Sequence, residues 1–202
     1  MKVTNSRRRG TALEDAILDA AWEELIELGY VSMTLESVAK RAGTSRPVLA
    51  RRWPTRTKLA TAALVRHYKL NPVIVSDMGS VRDELRLALR SISNRLRPNL
   101  AQLVFDMSRD LADEGSNFSD VSGELTDGSL LRTILKRGVD RGEIDPACLT
   151  PRIIALPTDL ARHEMLMTLR PLSDETIREI VEDVFLPLVR RNREKKTGRA
   201  HS

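Results

Sequence analysis

The chain has 202 residues, with 33 Lys plus Arg against 28 Asp plus Glu, a formal net charge of +5, 41% hydrophobic residues and only 3% aromatic ones. This globular composition, with its aliphatic core, excludes a disordered chain, and one cysteine (Cys148) with three histidines (His67, His163, His201) excludes an internal disulfide and nearly excludes a four-ligand Cys/His zinc site. No apolar run approaches the roughly 18 to 20 residues of a membrane span, and the basic start MKVTNSRRRG has no apolar signal core behind it, so a cytoplasmic protein without a membrane partner is expected.

Lys2, Arg7, Arg8 and Arg9 form a basic arm ahead of the first periodic segment. Leu13, Ala16, Ile17, Ala20, Ala21, Leu25 and Leu28 follow the helical period, and Gly29 offers a left-handed terminus. The acids of this helix (Glu14, Asp15, Asp19, Glu23, Glu24, Glu27) are expected to form a solvated stripe. Thr34 is an N-cap for a short second helix carrying Leu35, Val38 and Ala39 and stopped by Gly43. Ser45 can cap a third, with Pro47 in its first turn and Val48, Leu49 and Trp53 on its apolar side before Pro54; a fourth restarts near Thr57 with Leu59, Ala62 and Ala63.

Residues 34–58 hold seven bases (Lys40, Arg41, Arg46, Arg51, Arg52, Arg56, Lys58) against Glu36 alone, and the whole excess of five positive charges lies in residues 1–66. On charge alone this is either a phosphate-binding face or a solvated helical face. Two short helices joined by a turn around Gly43, with the bases concentrated on the second, form the helix-turn-helix arrangement, in which the second helix enters the major groove.

The run from Leu35 to Leu59, LESVAKRAGTSRPVLARRWPTRTKL, preceded by Gly29-Tyr30 and Met33-Thr34, resembles the DNA-binding domain of the tetracycline-repressor (TetR) family over about residues 10 to 62. Ala50 stands where the family has a tyrosine, Arg56 where it has the lysine opening helix 4, and Trp53 supplies the large aromatic. The resemblance implies that Thr34, Thr44, Ser45, Arg46, Pro47, Ala50, Arg51, Arg52 and Arg56 form the DNA-binding face. Arg46 is the first choice for direct readout, because a guanidinium pairs bidentately with guanine O6 and N7, with a phosphate contact as its alternative. Arg51, Arg52 and Arg56 are assigned to the DNA backbone, and Pro47 either meets a thymine methyl or stiffens the helix start. Trp53 is expected to plug the core and not to stack on a base.

From about residue 79 the chain reads as helices throughout. Val81, Leu85, Ala88, Leu89, Ile92 and Leu96 make one, ended before Pro98; Leu100, Leu103, Val104, Met107 and Leu111 make the next. Leu130, Leu131, Ile134, Leu135 and Val139 precede Gly142, and a break is expected around 120–128 at Gly123 and Gly128. Ile153, Ile154, Leu160 and Ala161 surround Pro157, which predicts a kink. Ile177, Ile180, Val181, Val184, Phe185 and Leu188 then keep helical spacing after a cap at Ser173 or Asp174. The class is all-α, about nine helices: residues 1–66 carrying the arm and DNA-binding head, 67–192 a larger effector-binding and dimerisation domain, and 193–202 a basic disordered tail.

The resemblance implies homodimerisation through about 150–190 and a small-molecule pocket in the larger domain. Phe105, Arg109, Phe118, Asp159, His163 and Met167 are its candidate contacts, with Met107 and Met165 as further walls. No phosphate-binding loop, nucleophile elbow or His-Glu-x-x-His run is present, and no catalytic residue, metal or cofactor is expected. The expectation is a ligand-responsive regulator, a repressor, on palindromic double-stranded operator DNA. The other classes are a nonspecific nucleic-acid or protein-interaction module, or an enzyme using the helical-domain pocket.

Overall fold

A computed structural model describes residues 10–95, 98–117, 121 and 128–190. The basic arm, Phe118 and the tail lie outside them. Among the described residues the structure is helical, with a single isolated bridge between Ile144 and Arg190. The helices are α1 (Thr11–Leu28), α2 (Leu35–Arg41), α3 (Arg46–Ala50), α4 (Arg56–Leu70), α5 (Val81–Arg95), α6 (Pro98–Asp113), α7 (Ser129–Asp140), α8 (Pro151–Thr168), α9 (Asp174–Arg178) and α10 (Leu186–Val189). A 3-10 turn lies at Pro146–Cys148, and a π-helical stretch, Glu179–Phe185, joins α9 to α10.

The described residues group into two compact units, one from 1–72 and 102–126, the other from 73–101 and 127–202. This differs from a boundary at 66 in two ways. α4 carries the first unit on to Leu70, and the greater part of α6 groups with the head because its Asp110 binds Tyr30 and Arg56.

In the first unit α1 packs along α4, with Ile17, Leu18, Ala20, Ala21 and Leu25 facing inward at the expected period. Trp22 of α1 stacks on His67 of α4 with ring centroids 3.6 Å apart. Leu28, at the end of the expected apolar stripe, is exposed, and Gly29 ends the helix at φ 78° and ψ 168°, a positive φ but extended and not helical. Thr34 caps α2 with a reciprocal box: Ser37 N–H donates to Thr34 Oγ1 at 3.0 Å and Thr34 N–H donates to Ser37 Oγ at 3.1 Å. At the other end Gly43 turns the chain at φ 68°, so that Thr44 N–H reaches the Ala39 carbonyl and Gly43 N–H that of Lys40, the paired bonds of a Schellman cap. Ser45 occupies the N-cap of α3 with extended backbone but makes no side-chain capping bond. α4 starts at Arg56, capped by Thr55, whose Oγ1 accepts from Lys58 N–H.

In the second unit Val81, Leu85, Ala88 and Leu89 of α5, Ile134 and Leu135 of α7, Ala161 and Met165 of α8, and Ile177, Val181, Phe185 and Val189 of the last helices form one core, aliphatic but for Phe185 and Met165. α8 is one helix with Pro157 inside it, and ends with Leu169 in the left-handed region at φ 53°. The last segment is not a uniform α-helix. Wider turns over Glu179–Phe185 bring Ile180, Val181 and Phe185 inward together and leave Val184 and Leu188 exposed, although their spacing suggested one buried stripe.

Glu84 is fully buried, its carboxylate held by Arg137 at 3.0 Å and by Arg141 at 2.9 Å; Arg137 also donates to the Val75 carbonyl. Removing the carboxylate takes from Arg137 and Arg141 the buried partner they share. Glu84→Ala is expected to lower the unfolding free energy by about 3 kcal/mol in urea titrations. Gly138 sits where α7 meets α5: an added Cβ would overlap Val81 Cγ2 and lie 2.9 Å from Ile144 Cδ1. Gly138→Ala, ordinarily favourable in a helix, should therefore destabilise by about 1–3 kcal/mol in the same titration.

Candidate nucleic-acid interface

α3 has only five residues, and its placement comes from burial rather than from its own hydrogen bonds. Leu49 is fully buried and Trp53 nearly so, while Val48 and Ala50 are half-buried. The expected plug at Trp53 is thus present, and Trp53 N–H is tied back to the Leu49 carbonyl at 2.9 Å. Ser45, Arg46, Pro47, Arg51 and Arg52 are all exposed, Pro47 and Arg51 on the side away from Leu49 and Trp53. Thr34 is exposed at the start of α2, and Thr44 is half-buried in the turn. The structure thus brings Thr34, Ser45, Arg46, Pro47, Arg51 and Arg52 to solvent, and it leaves Thr44 and Ala50 partly covered.

The bases of this segment differ in what they do. Arg41, on α2, is drawn to α1, where it pairs with Glu24 at 3.1 Å, Glu27 at 2.7 Å and Glu23 at 3.3 Å. Its guanidinium is raised above its ordinary pKa, chiefly by the bond to Glu27, and Glu27 is correspondingly lowered, chiefly by Arg41. Arg52 pairs with Glu14, and Arg66 of α4 with Asp15 (3.0 Å) and Asp19. All six acids of α1 are therefore in ion pairs, with bases delivered by α2, by the chain after α3 and by α4; Asp15, Asp19, Glu23 and Glu27 are exposed as the expected solvated stripe required, and only Glu24 is buried. Arg46 approaches Glu36 at 2.6 Å. Lys40, Arg51 and Lys58 are exposed and make no ion pair with any described residue.

Arg56 is the most constrained. It donates to Asp110 Oδ2 at 2.7 Å and to the Val31 carbonyl at 3.1 Å, and its guanidinium carbon lies 4.3 Å from the centre of the Tyr30 ring. Tyr30, itself 1% exposed, donates its hydroxyl to the same Asp110 oxygen at 2.6 Å and lies 2.9 Å from Thr57 Oγ1. In the DNA-free chain Arg56 thus fastens the loop after α1 and the start of α4 to α6, a duty that sequence reading, which gave it a backbone contact, did not foresee. Burial pushes the Tyr30 phenol up, and Asp110 is lowered, first by the Tyr30 hydroxyl and then by Arg56. Tyr30 had a signal in the Gly-Tyr pair that closes α1, but Asp110 had none, since it lies 80 positions away.

The candidate effector contacts fall into two groups, one in each unit. Phe105 and Arg109 are exposed on α6 within the first unit; on α8 of the second unit Asp159 is half-buried and paired with Arg162 at 3.0 Å, while His163 and Met167 are exposed. Of the further walls, Met107 and Met165 are buried. Among the described residues no group of three or more His, Cys, Asp or Glu is placed to hold a metal ion.

Residues 17–63 match the family model of bacterial regulatory proteins of the tetR family, and residues 75–184 that of the tetracyclin repressor-like C-terminal domain. The chain is 28% identical over 186 residues to an uncharacterised HTH-type transcriptional regulator of Mycobacterium tuberculosis, covering 89% of each. It is 28% identical over 184 residues to the DNA-binding transcriptional repressor TetR of Mycobacteroides abscessus, covering 90% of this chain and 96% of that one. The fold is shared with the crystal structure of a TetR-family transcription regulator, SCO0332 (TM-score 0.68, 19% identity, 86% of this chain and 96% of that one). It is shared as well with a regulator from Agrobacterium tumefaciens (TM-score 0.59, 21% identity, 88% and 94%).

The Asp110 node gives a stability test. Because the folded-state pKa of Asp110 is depressed, its stabilisation is present above the unfolded carboxylate range, about pH 3.9, and is lost as pH falls through the folded value. Asp110→Asn should cost about 1–2 kcal/mol at pH 7, and its deficit against the unsubstituted chain should shrink steadily below about pH 4 in chemical denaturation.

Proposed function

The chain belongs to the TetR family of DNA-binding transcriptional regulators, and from that premise we propose that it is a repressor, binding a two-fold-symmetric operator as a homodimer and leaving it when a small molecule is bound. The observation that carries the reading is the two-sidedness of α3. Leu49 and Trp53 lock one side into the core, Pro47 and Arg51 stand on the other in solvent, and Arg46 is exposed at the first position of the helix. A helix held so firmly presents its side chains to a major groove with little loss of conformational freedom on binding. Arg46 reads a base, Arg51 holds a phosphate, Arg52 reaches one only by giving up Glu14, and Thr34, Thr44, Ser45, Pro47 and Ala50 complete the face. Arg56 contributes by holding the head together and reaches phosphate only by giving up Asp110. Repression is the activity named for the Mycobacteroides relative.

Homodimerisation through about 150–190 is supported by the apolar side chains that α8 and the last helices leave uncovered: Met167, Leu169, Val184 and Leu188 are exposed, and Ile153, Ile154 and Leu160 are partly so. One head makes too few contacts for tight specific binding, and two heads reading half-sites about 34 to 36 Å apart supply the rest. The effector contacts are drawn from Phe105, Arg109, Phe118, Asp159, His163 and Met167. Whatever binds there lowers operator affinity only by its preference for one arrangement of the protein over the other. No helix among the described residues is long and apolar enough to cross a membrane, which fits a protein working on DNA in the cytoplasm.

Selection of bound duplexes from a random library at physiological salt tests this. The expected product is a palindromic site, with a log K against log salt slope of roughly −5 to −9 for about six to ten phosphate contacts. Failure of the folded, ligand-free protein to enrich any site would refute the regulator reading. In sedimentation the chain should run as a dimer, and Val184→Glu with Leu188→Glu should yield folded monomers whose operator affinity drops at least roughly a hundredfold.

A further inference from the structure

Arg46 is the base-reading candidate, yet it is not alone. Glu36, in the first turn of α2, brings its carboxylate Oε1 to 2.6 Å from Arg46 Nε. Both side chains are about 60% open to solvent, at 60% and 63%. A pair so exposed adds little to folding stability, so its consequence has to be sought in what Arg46 can then bind.

An unpaired guanidinium carries a full charge and is drawn to the nearest phosphate, which says nothing about sequence. A guanidinium beside a carboxylate has its charge cancelled locally and gains little from a phosphate, which the carboxylate repels. Its N–H donors directed away from that carboxylate are unchanged, and the neutral acceptor pair O6 and N7 of guanine still matches them. The neighbouring bases supply the contrast. Lys40, Arg51 and Lys58 are exposed and have no carboxylate among the described residues, so they keep the charge that suits the DNA backbone. Glu36 is the one acid in residues 34–58, and it stands against Arg46, the exposed arginine that opens α3.

We propose that Glu36 is a positioning and specificity-determining residue: by neutralising and orienting Arg46 it makes that arginine a reader of guanine and keeps it from the phosphates. The proposal rests on the reading of the chain as an operator-binding protein with Arg46 at a base edge.

The test is selection of bound duplexes with the full chain, Arg46→Ala, Glu36→Gln and Glu36→Asp, each checked for its folded circular dichroism, followed by salt titration on the selected duplex. The unsubstituted chain should select a guanine in each half-site, and Arg46→Ala should lose it. Glu36→Gln frees the charge of Arg46: the preference at that same position should fall roughly fivefold or more. The salt slope should steepen by about 0.9 per half-site. Glu36→Asp, which keeps the charge, should retain most of the preference and the original slope. A purely structural carboxylate at the start of α2 moves neither quantity.

Three results overturn the proposal while leaving the regulator reading intact. Glu36→Gln leaves preference and slope unchanged; or it changes a different base pair, which makes Glu36 a direct reader; or Arg46→Ala flattens the slope without altering any base preference, which makes Arg46 a phosphate contact. Enrichment of no site by the folded unsubstituted chain overturns both.

Discussion

Five residues of helix hold too few internal hydrogen bonds to stand alone, so everything asked of α3 depends on its burial against the rest of the head. Leu49, with no exposed surface, and Trp53 behind it fix the rotation of the helix about its axis. The Schellman turn at Gly43 fixes the direction from which it arrives, since its two backbone bonds leave α2 only one exit. With rotation and direction set, the positions of Arg46, Pro47 and Arg51 are set as well. A recognition element is commonly described by the residues it exposes; here the buried side does the specifying.

The second determinant is how the head disposes of its own charge. The composition offers a surplus of bases in 34–58, but the structure divides that surplus among different duties. Arg41 is bound by three glutamates of α1 and serves the packing of α2 on α1. Arg56 is occupied by Asp110, the Tyr30 ring and two backbone carbonyls, and serves the attachment of α6. Arg46 and Arg52 each face one carboxylate, while Lys40, Arg51 and Lys58 have none among the described residues. The local excess of charge therefore overstates the number of cations available to phosphate. It also hides a distinction between cations with a partner and cations without one, which bears directly on whether a side chain contributes affinity or sequence information.

The second unit solves a different problem with the same means. Its core is almost wholly aliphatic, and aliphatic packing is tolerant of sliding. The buried Glu84, taken by Arg137 and Arg141 of the same helix α7 region and flanked by Glu143 and Asp77, fixes the register of α5 on α7, and Gly138 lets the two helices approach where any side chain would collide. The wider turns of Glu179–Phe185 then decide which apolar residues of the last segment are used inside and which stay outside, Val184 and Leu188 among the latter.

The all-α class, the Thr34 cap, the Gly43 stop, the inward Trp53 and the exposed Arg46 and Arg51 were legible in the sequence. Each depends on residues a few positions apart, where backbone geometry converts spacing directly into direction. The partners were not legible. Arg52 meets Glu14 across 38 positions, Arg56 meets Asp110 across 54, and Tyr30 meets Asp110 across 80. Ion pairs and hydrogen bonds between helices leave no period in a sequence, because they form only once the apolar faces have chosen which helices lie side by side. The π-helical turns escaped for the same reason: the spacing from Ile177 to Leu188 is compatible with an ordinary α-helix, and only its packing against α8 and α5 decides the number of residues in a turn. The sequence thus determined the local elements and which of their faces are apolar; the tertiary structure decided which of the charges are tied into the fold and which stay exposed without an ion-pair partner among the described residues.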